Sequence, residues 1–589
     1  METVDLTVIG AGWSGLAAMK TYTQVNPSHS AVLLEAASSI GGVWATHRQY
    51  TGLKSNNMLG TYEFSDFPMD PATFGVQPGE HIPGPVIQKY MEKFAEHFRF
   101  LDRIRLNTRV RSAERRADGT WLLTTVGAEE DGQEQTRVTR KLIVATGITS
   151  QAYLPGFPGE ATFAAPLFHC RDLRQHEAQV LQADRRVTVF GGTKSGWDAV
   201  YAAATAGMQV DWVIRERGHG PVWMVPPYVT PLKRWLEKLV TTRLLTWFSP
   251  CIWGDADGYS RVRGLLHGTW LGRRLVDAFW ALLAHDVVQL NGYDAHPETA
   301  KLKPWISPFW IASSLSILNY PTDFFALVRS GAVRIHIASI DRLSRHTVHL
   351  SSGTALPTTA LICSTGWRAT PNLTFRPDAL HATLGFPWGA DPLAADLLAA
   401  ADAEILRRFP RLRDQPARPE SYQPLAADAP AAAAHPFRLA RFMVPPGLTA
   451  DRSLAFMGIT MTINTTMIAQ AQALWITAYF GGRLTPTATE RCPASVRVAD
   501  EKRGPEDQAA RDLAWETALH TQFGRWRYPG GFGARNPDFV FDAVPYVDLL
   551  LRELGVNPVR KTGVVGRVLE PYGMEDYRGL VEEWMAAGK

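Results

Sequence analysis

Val4-Asp-Leu-Thr-Val-Ile9-Gly10-Ala-Gly12-Trp-Ser-Gly15-Leu16-Ala-Ala-Met19 is the stretch that decides the fold. An apolar, β-branched run predicts a strand, Leu16 onward opens a helical pattern, and three glycines stand between them. In that order the glycines have separate duties. Gly10 permits a tight turn, Gly12 lets a pyrophosphate come close to the backbone, and Gly15 lets the helix pack on the strand. The helix N-terminus supplies free N–H groups and positive potential for phosphates. Ala31-Val-Leu-Leu34 then reads as a second buried strand ending in Glu35, twenty residues after Gly15, where an acid accepts hydrogen bonds from a ribose.

A second copy begins at Arg186. The strand Arg186–Phe190 runs into Gly191-Gly-Thr193-Lys194-Ser195-Gly196 and a helical segment from Trp197. Thr193 replaces the middle glycine, so the match is degenerate. The string also resembles a phosphate-binding loop of the nucleotide triphosphatases, but Thr188 and Thr193 occupy the two glycine positions and that pattern fails twice. Lys194 and Ser195 are either phosphate contacts or ordinary helix-start residues. Gln209–Ile214 is the next strand, followed by Arg215 and Arg217 where the first copy carries Glu35. Cations there suit a 2′-phosphate, so the second nucleotide is expected to be NADP rather than NAD. Two dinucleotide sites in one chain point to hydride transfer between two cofactors.

Composition narrows the alternatives. The 589 residues carry 61 Lys and Arg against 57 Asp and Glu, a net charge of +4 that is too small to imply a nucleic-acid partner. Four cysteines, Cys170, Cys251, Cys363 and Cys492, are too dispersed for a metal-binding or disulfide framework and suit a reducing compartment, the cytoplasm. No H-E-x-x-H or other metal-ligand spacing occurs among the sixteen histidines, and no G-x-S-x-G elbow is present. The acidic N-terminus enters a strand directly, which argues against a signal peptide. Ser453 to Gly482 is uncharged but contains Thr460, Thr462, Asn464, Thr465, Thr466, Gln470 and Gln472, so it reads as a buried strand and helix rather than a membrane span.

Downstream of Glu35 the chain resembles a known family. Gly41-Gly42-Val-Trp44, the run Asn56-Asn-Met-Leu-Gly-Thr-Tyr-Glu-Phe64-Ser-Asp-Phe-Pro68, Ala145-Thr146-Gly147, Ser364-Thr365-Gly366-Trp367 and Leu454-Ala-Phe-Met-Gly458 together are similar to the flavin-containing monooxygenases, class B enzymes using FAD, NADPH and O₂. With Trp13, the pattern looks most like FAD-dependent monooxygenases of fungal natural-product pathways. The resemblance covers about 1–220 and 315–485. It implies that Asn56 lies beside the flavin ring, that Val110 meets the adenine, and that the two A-T-G-like motifs end strands at the cofactors. It further implies reduction of FAD by NADPH, a flavin C4a-hydroperoxide, and transfer of one oxygen atom to a lipophilic small molecule. The family fingerprint is damaged, with Ala165 for glycine and Leu173 for an aromatic in Phe163-Ala-Ala165-Pro-Leu-Phe-His169-Cys-Arg-Asp-Leu173. The tryptophan of Baeyer–Villiger relatives is also absent near Leu173. Heteroatom oxygenation, Baeyer–Villiger insertion, a flavin oxidoreductase without oxygen insertion, and a flavin-binding scaffold all stay open.

The expected architecture is α/β, with two nested Rossmann-like dinucleotide-binding domains. Residues 1–180 begin the FAD domain and 181–345 form the NADP domain, interrupted by a helical aromatic-rich insertion at about 220–315. Residues 346–485 return to the FAD domain with a Pro/Ala-rich excursion at 370–445 that includes Ala431 to Ala434, and 486–589 form a helical extension packed on the outside. The insertion holds eight of nineteen tryptophans, Trp223 to Trp310. Leu232, Trp235, Leu236, Leu239, Val240, Leu244, Trp247 and Phe248 keep helical spacing, accompanied by Lys233, Arg234, Lys238 and Arg243. Leu275, Val276, Phe279, Trp280 and Leu283 repeat the pattern. Three readings compete for this segment: a subdomain with its own core, a lid over a lipophilic pocket, and a peripheral membrane contact through 232–248.

Overall fold

The computed structural model describes residues 3–127, 133–229, 233–368, 373–387, 389–417, 435–494, 496 and 505–588. The predicted opening strand is Thr3–Ile9 and the helix behind its glycine turn is Trp13–Val25. The strand is buried from Leu6 to Ile9 and the helix over most of its length, because this strand is central in an eight-stranded sheet. It pairs in parallel with Ala31–Leu34 on one side, from Leu6 opposite Ala31 to Ile9 opposite Leu34, and with Gln135–Val144 on the other. A strand covered on both faces reads as a continuous apolar run, as this one does. Leu454–Phe456 returns from far along the chain to pair with the end of Gln135–Val144. The helix Thr465–Phe480 that follows is almost wholly buried, and among the described residues no helix is long and apolar enough to cross a membrane.

The second sheet has five parallel strands in the order Val333–Ile337, Gln209–Ile214, Arg186–Phe190, Leu361–Cys363, Leu167–His169. Its strands therefore reach beyond 181–345 on both sides. Leu167–His169 and Leu361–Cys363 are three residues each, too short to mark a boundary by periodicity. The excursion contributes Thr374–Arg376 to the first sheet and the helix Ala395–Arg408. Ala431 to Ala434 lie outside the described residues.

The insertion is closed at its neck by parallel pairing of Trp223–Val225 with Leu315–Ile317. The segment 232–248 departs from the expected single helix, and Leu232 lies outside the described residues. After a two-residue strand, Arg234–Trp235, it breaks into Leu236–Leu239 and Arg243–Trp247, because Thr242 takes an extended conformation and caps the second piece through Leu245 N–H. Much of its apolar face is turned inward: Leu236, Val240 and Leu245 are buried in the main core, while Leu244 is exposed. Nor is its charge all outward. Arg243, 1 % exposed, forms a bidentate pair with Asp548 at 2.5 and 3.0 Å and donates to the Tyr572 hydroxyl at 2.9 Å.

That pair shows a second difference. The C-terminal extension is not an outer coat. Ala543–Glu553 is buried from Ala543 to Leu551, and Pro505–Arg527 ends with the buried guanidinium of Arg527 held by the Phe309 carbonyl and Ser249 Oγ. Trp253 donates to the Asp542 carbonyl at 3.2 Å, and Trp280 packs on Phe541. Insertion and extension thus share one core, so neither aromatic stripe needed a partner of its own kind.

Removing one member of a buried ion pair leaves the other unpaired, at a cost of about 3–5 kcal/mol. Asp548→Ala is therefore expected to lower the thermal and urea midpoints clearly, while an exposed exchange such as Asp294→Ala leaves them unchanged. Equal midpoints in the two variants would refute a shared core anchored by Arg243.

Candidate functional site

The first cradle faces a cavity of about 650 Å³. Gly10 has φ +104°, and a Cβ on it would lie 2.6 Å from the Ala145 carbonyl oxygen; a Cβ on Gly15 would lie 1.8 Å from the Gly10 carbonyl. These two glycines serve close backbone packing. Gly12 differs. A Cβ there meets only Gly42 Cα at 3.7 Å, so a side chain at this position enters the cleft. Of the residues singled out in the sequence, Gly10, Gly12, Glu35, Gly42, Val110, Ala145, Thr146 and Gly147 line this cavity. Gly15 lies behind the turn. Trp44, 8 % exposed, backs the lining by donating to the Tyr62 hydroxyl at 3.2 Å. Glu35 accepts from Ala11 N–H at 2.7 Å and Ala37 N–H at 2.8 Å, one amide on each oxygen. A carboxylate has about four acceptor sites, so two remain for hydroxyls.

The second cradle repeats this geometry. A Cβ on Gly191 (φ +118°) would stand 2.2 Å from the Ser364 carbonyl, and one on Gly196 2.3 Å from the Gly191 carbonyl. Ala145 and Ser364 thus occupy equivalent strand ends, and Gly147 and Gly366 both have positive φ. Thr193 is tolerated in place of glycine because its hydroxyl pairs with Ser364 Oγ at 2.6 Å. Thr365 donates to the Tyr153 carbonyl at 2.5 Å, and Gly366 accepts from Tyr153 N–H, which puts both at the crossing of the connecting segments. Lys194 turns toward Asp198, and to Asn319 Oδ1 at 3.0 Å. Ser195 stays at the helix start. Arg215 and Arg217 lie in the loop after Gln209–Ile214, which returns to the cradle where Val222 N–H donates to the Gly192 carbonyl.

Asn56 does not line the large cavity. Its strand, Lys54–Met58, runs between the first cradle and the neck of the insertion. Asn56 Nδ2 stands 3.5 Å from Ser316 Oγ, and Asn319 Nδ2 holds the carbonyls of Lys54 and Ser55 at 3.0 and 3.1 Å. The adjacent Asn57 is clamped by Glu237, a carboxylate 2 % exposed. Glu237 accepts from Asn57 Nδ2 (2.5 Å), Met58 N–H (3.1 Å), Thr61 Oγ1 (2.6 Å) and Trp235 Nε1 (2.8 Å). Burial pushes its carboxyl up, and the four donors oppose that rise.

Several lining residues carry no sequence signal. Arg48 and Arg171, 123 positions apart, both reach the cavity wall. The Arg48 guanidinium lies 5.3 Å from the Trp367 ring and donates to the Thr149 carbonyl at 3.2 Å; burial, and then Arg171, push it down to about 10. Thr460, Thr462, Thr465 and Gln472, noticed only as polar groups unsuited to lipid, line the opposite wall. His169 is buried, pushed down to about 4 chiefly by desolvation, and accepts from Arg171 N–H at 3.1 Å. Leu173 is 1 % exposed in the core of the second sheet. Among the described residues no cluster of metal-ligating side chains occurs.

Comparisons with known proteins establish the family. The family model for flavin-binding monooxygenase-like proteins matches residues 4–248. The chain is 34 % identical over 607 residues to the FAD-dependent monooxygenase resA of Aspergillus sclerotiorum, covering 99 % of this chain and 98 % of that one. It is 30 % identical to the FAD-dependent monooxygenase DEP4 of Alternaria brassicicola, covering 99 % and 95 %. Among solved structures, NADP⁺-bound cyclohexanone monooxygenase from Rhodococcus has a TM-score of 0.58 at 17 % identity, covering 94 % of this chain and 97 % of that one. S-allyl-L-cysteine S-oxygenase from Allium sativum has a TM-score of 0.52 at 14 % identity, covering 94 % and 89 %. The chain belongs to the flavin-binding monooxygenases, a family of oxidoreductases.

Gly12→Val tests the cradle. Its side chain would fill the cleft rather than clash with backbone. The variant is expected to fold with a melting profile like that of the flavin-free protein and to purify colourless. Full FAD occupancy in the variant would overturn the assignment.

Proposed function

We propose that this chain is an NADPH- and O₂-dependent FAD monooxygenase that transfers one oxygen atom to a lipophilic small molecule, in the tailoring of a natural product. The balance is substrate, O₂, NADPH and a proton giving oxygenated substrate, NADP⁺ and water. The observation that carries the reading is the duplication of the strand–turn–helix cradle with opposite charge after its second strand, Glu35 in one copy and Arg215 and Arg217 in the other.

In this reading Gly10, Gly12, Gly15, Gly42, Val110, Ala145, Thr146 and Gly147 hold FAD, with Trp44 supporting and Glu35 accepting from the ribose. Gly191, Thr193, Lys194, Ser195, Gly196, Thr365 and Gly366 hold NADP, whose 2′-phosphate meets Arg215 and Arg217. When bound, FAD supplies the redox chemistry linking the nicotinamide to O₂. The protein's own part is to bind, orient and keep water out. The N-terminus of Thr465–Phe480 turns its positive end toward the cavity beside Thr462. Arg48 and Arg171 add positive potential to the same cavity. Lys194 joins the second cradle to the Asn56 strand through Asn319, so that nucleotide and strand are held in one frame. Beside that strand, at the neck of the insertion, Trp223, Val225, Leu236, Val240, Leu315 and Ile463 pack into an apolar wall with only a small gap among them.

Two measurements test the reading. Anaerobic flavin reduction is expected to be much faster with NADPH than with NADH, and Arg215→Ala to raise the KM for NADPH about tenfold or more with NADH unaffected. Equal use of both nucleotides by the wild type would refute the charge argument. Asn56→Asp replaces a donor with a negative charge at the position that the family resemblance puts beside the flavin. Flavin reduction is expected to survive, while product per NADPH falls on the order of 10²-fold and hydrogen peroxide rises. Unchanged coupling would remove Asn56 from the active site.

A further inference from the structure

The helix Trp270–Asn291 is apolar on two opposite sides. Val276, Trp280 and Val287, each 2 % exposed, pack into the core shared with the C-terminal extension. Leu271, Leu275 and Leu282 face the other way, at 63, 52 and 67 % exposure. Their offsets of four and seven residues place them within about 40° of one another, along a stripe about 16 Å long. Trp270, the first residue of the helix, at 66 %, and Leu265 of the preceding helix Ser260–Gly268, at 62 %, are exposed as well. The outward side of a surface helix is ordinarily polar, and three leucines left uncovered along one stripe mark an interaction surface.

The flanking charge identifies the partner. Arg274 is exposed, with its guanidinium 5.7 Å from the Trp270 ring, and Arg261 of the helix Ser260–Gly268 is exposed as well. Of the acids on the long helix, Asp277 is paired with Arg411 at 2.8 Å. A leucine stripe, a tryptophan with an arginine over it, and exposed arginines beside them are the features of a helix lying in the boundary of a bilayer. No described helix can span one, so the contact is peripheral.

We propose that the outward face of Trp270–Asn291, with Leu271, Leu275 and Leu282 as its centre, docks this protein on an anionic lipid surface. This contact is distinct from the one expected through 232–248, whose Leu236, Val240 and Leu245 are buried, and it does not depend on which reaction the chain performs.

The test is co-sedimentation of the full-length, flavin-loaded protein with phosphatidylcholine vesicles and with phosphatidylcholine–phosphatidylserine vesicles. Binding is expected to be about tenfold or more tighter to the mixed vesicles and to weaken with salt. The double variant Leu271→Glu, Leu282→Glu should lose it about tenfold or more, with flavin content and melting temperature unchanged. Arg274→Glu should reduce the preference for phosphatidylserine while leaving weak binding to phosphatidylcholine. Absence of wild-type binding to either vesicle at low salt would overturn the proposal. So would a wild-type dimer that the double variant converts to monomer without any vesicle binding, since the face would then meet a second copy. A lowered melting temperature in the double variant would also overturn it, because the face would be covered by the chain itself.

Discussion

In the first cradle the carbonyl of Ala145 occupies the space where a side chain on Gly10 would be, and in the second the carbonyl of Ser364 does the same to Gly191. Each strand end can press so closely on its neighbour's turn only because no Cβ intervenes. The same economy repeats one turn later, where the Gly10 and Gly191 carbonyls lie against Gly15 and Gly196. From these contacts follow the seating of each helix on its sheet, the direction of its N-terminus, and the cleft into which Gly12 opens. A chain that meets the constraint twice, 181 residues apart, carries two dinucleotide sites whose relative position is set by everything between them.

What lies between them is held by polar groups taken out of water in pairs. Glu237 fastens the insertion to the Asn56 strand through four donors, and Arg243 fastens it to the C-terminal extension through Asp548. Buried pairs of this kind contribute little net stability over apolar packing, but a misplaced partner is costly, which makes them devices of register. The insertion therefore belongs to the frame of the site. Its neck strand carries Ser316 within reach of Asn56, and Asn319 just beyond it ties the same strand to Lys194.

The two cradles were legible because a close approach of backbone to backbone leaves a glycine at a countable position, and because Glu35 and Arg215 end strands of ordinary period. The buried strand and helix of 453–482 could be read from polar groups too numerous for lipid, although those same groups, Thr462, Thr465 and Gln472, face the cavity for a reason hydropathy does not express. The 232–248 segment could not be read correctly. Its leucines and tryptophans keep helical spacing, yet Thr242 interrupts the helix, and Arg243 is inward because Asp548, three hundred residues later, receives it. Arg48 and Arg171 were invisible for the same reason, since only the fold brings two arginines from unrelated turns to one wall. The extension seemed peripheral because Ala543–Glu553 shows a polar side; Asp548 on that side is buried against a cation.

The fate of dioxygen decides whether this chain is a monooxygenase in action. Turnover under ¹⁸O₂ with a panel of lipophilic amines, sulfides and ketones, with NADPH oxidation followed in parallel, measures it directly. The account predicts a product carrying one labelled oxygen atom for each NADPH consumed, with little hydrogen peroxide. NADPH oxidation that proceeds equally well without O₂, or that returns all the label as hydrogen peroxide with every member of the panel, would contradict it.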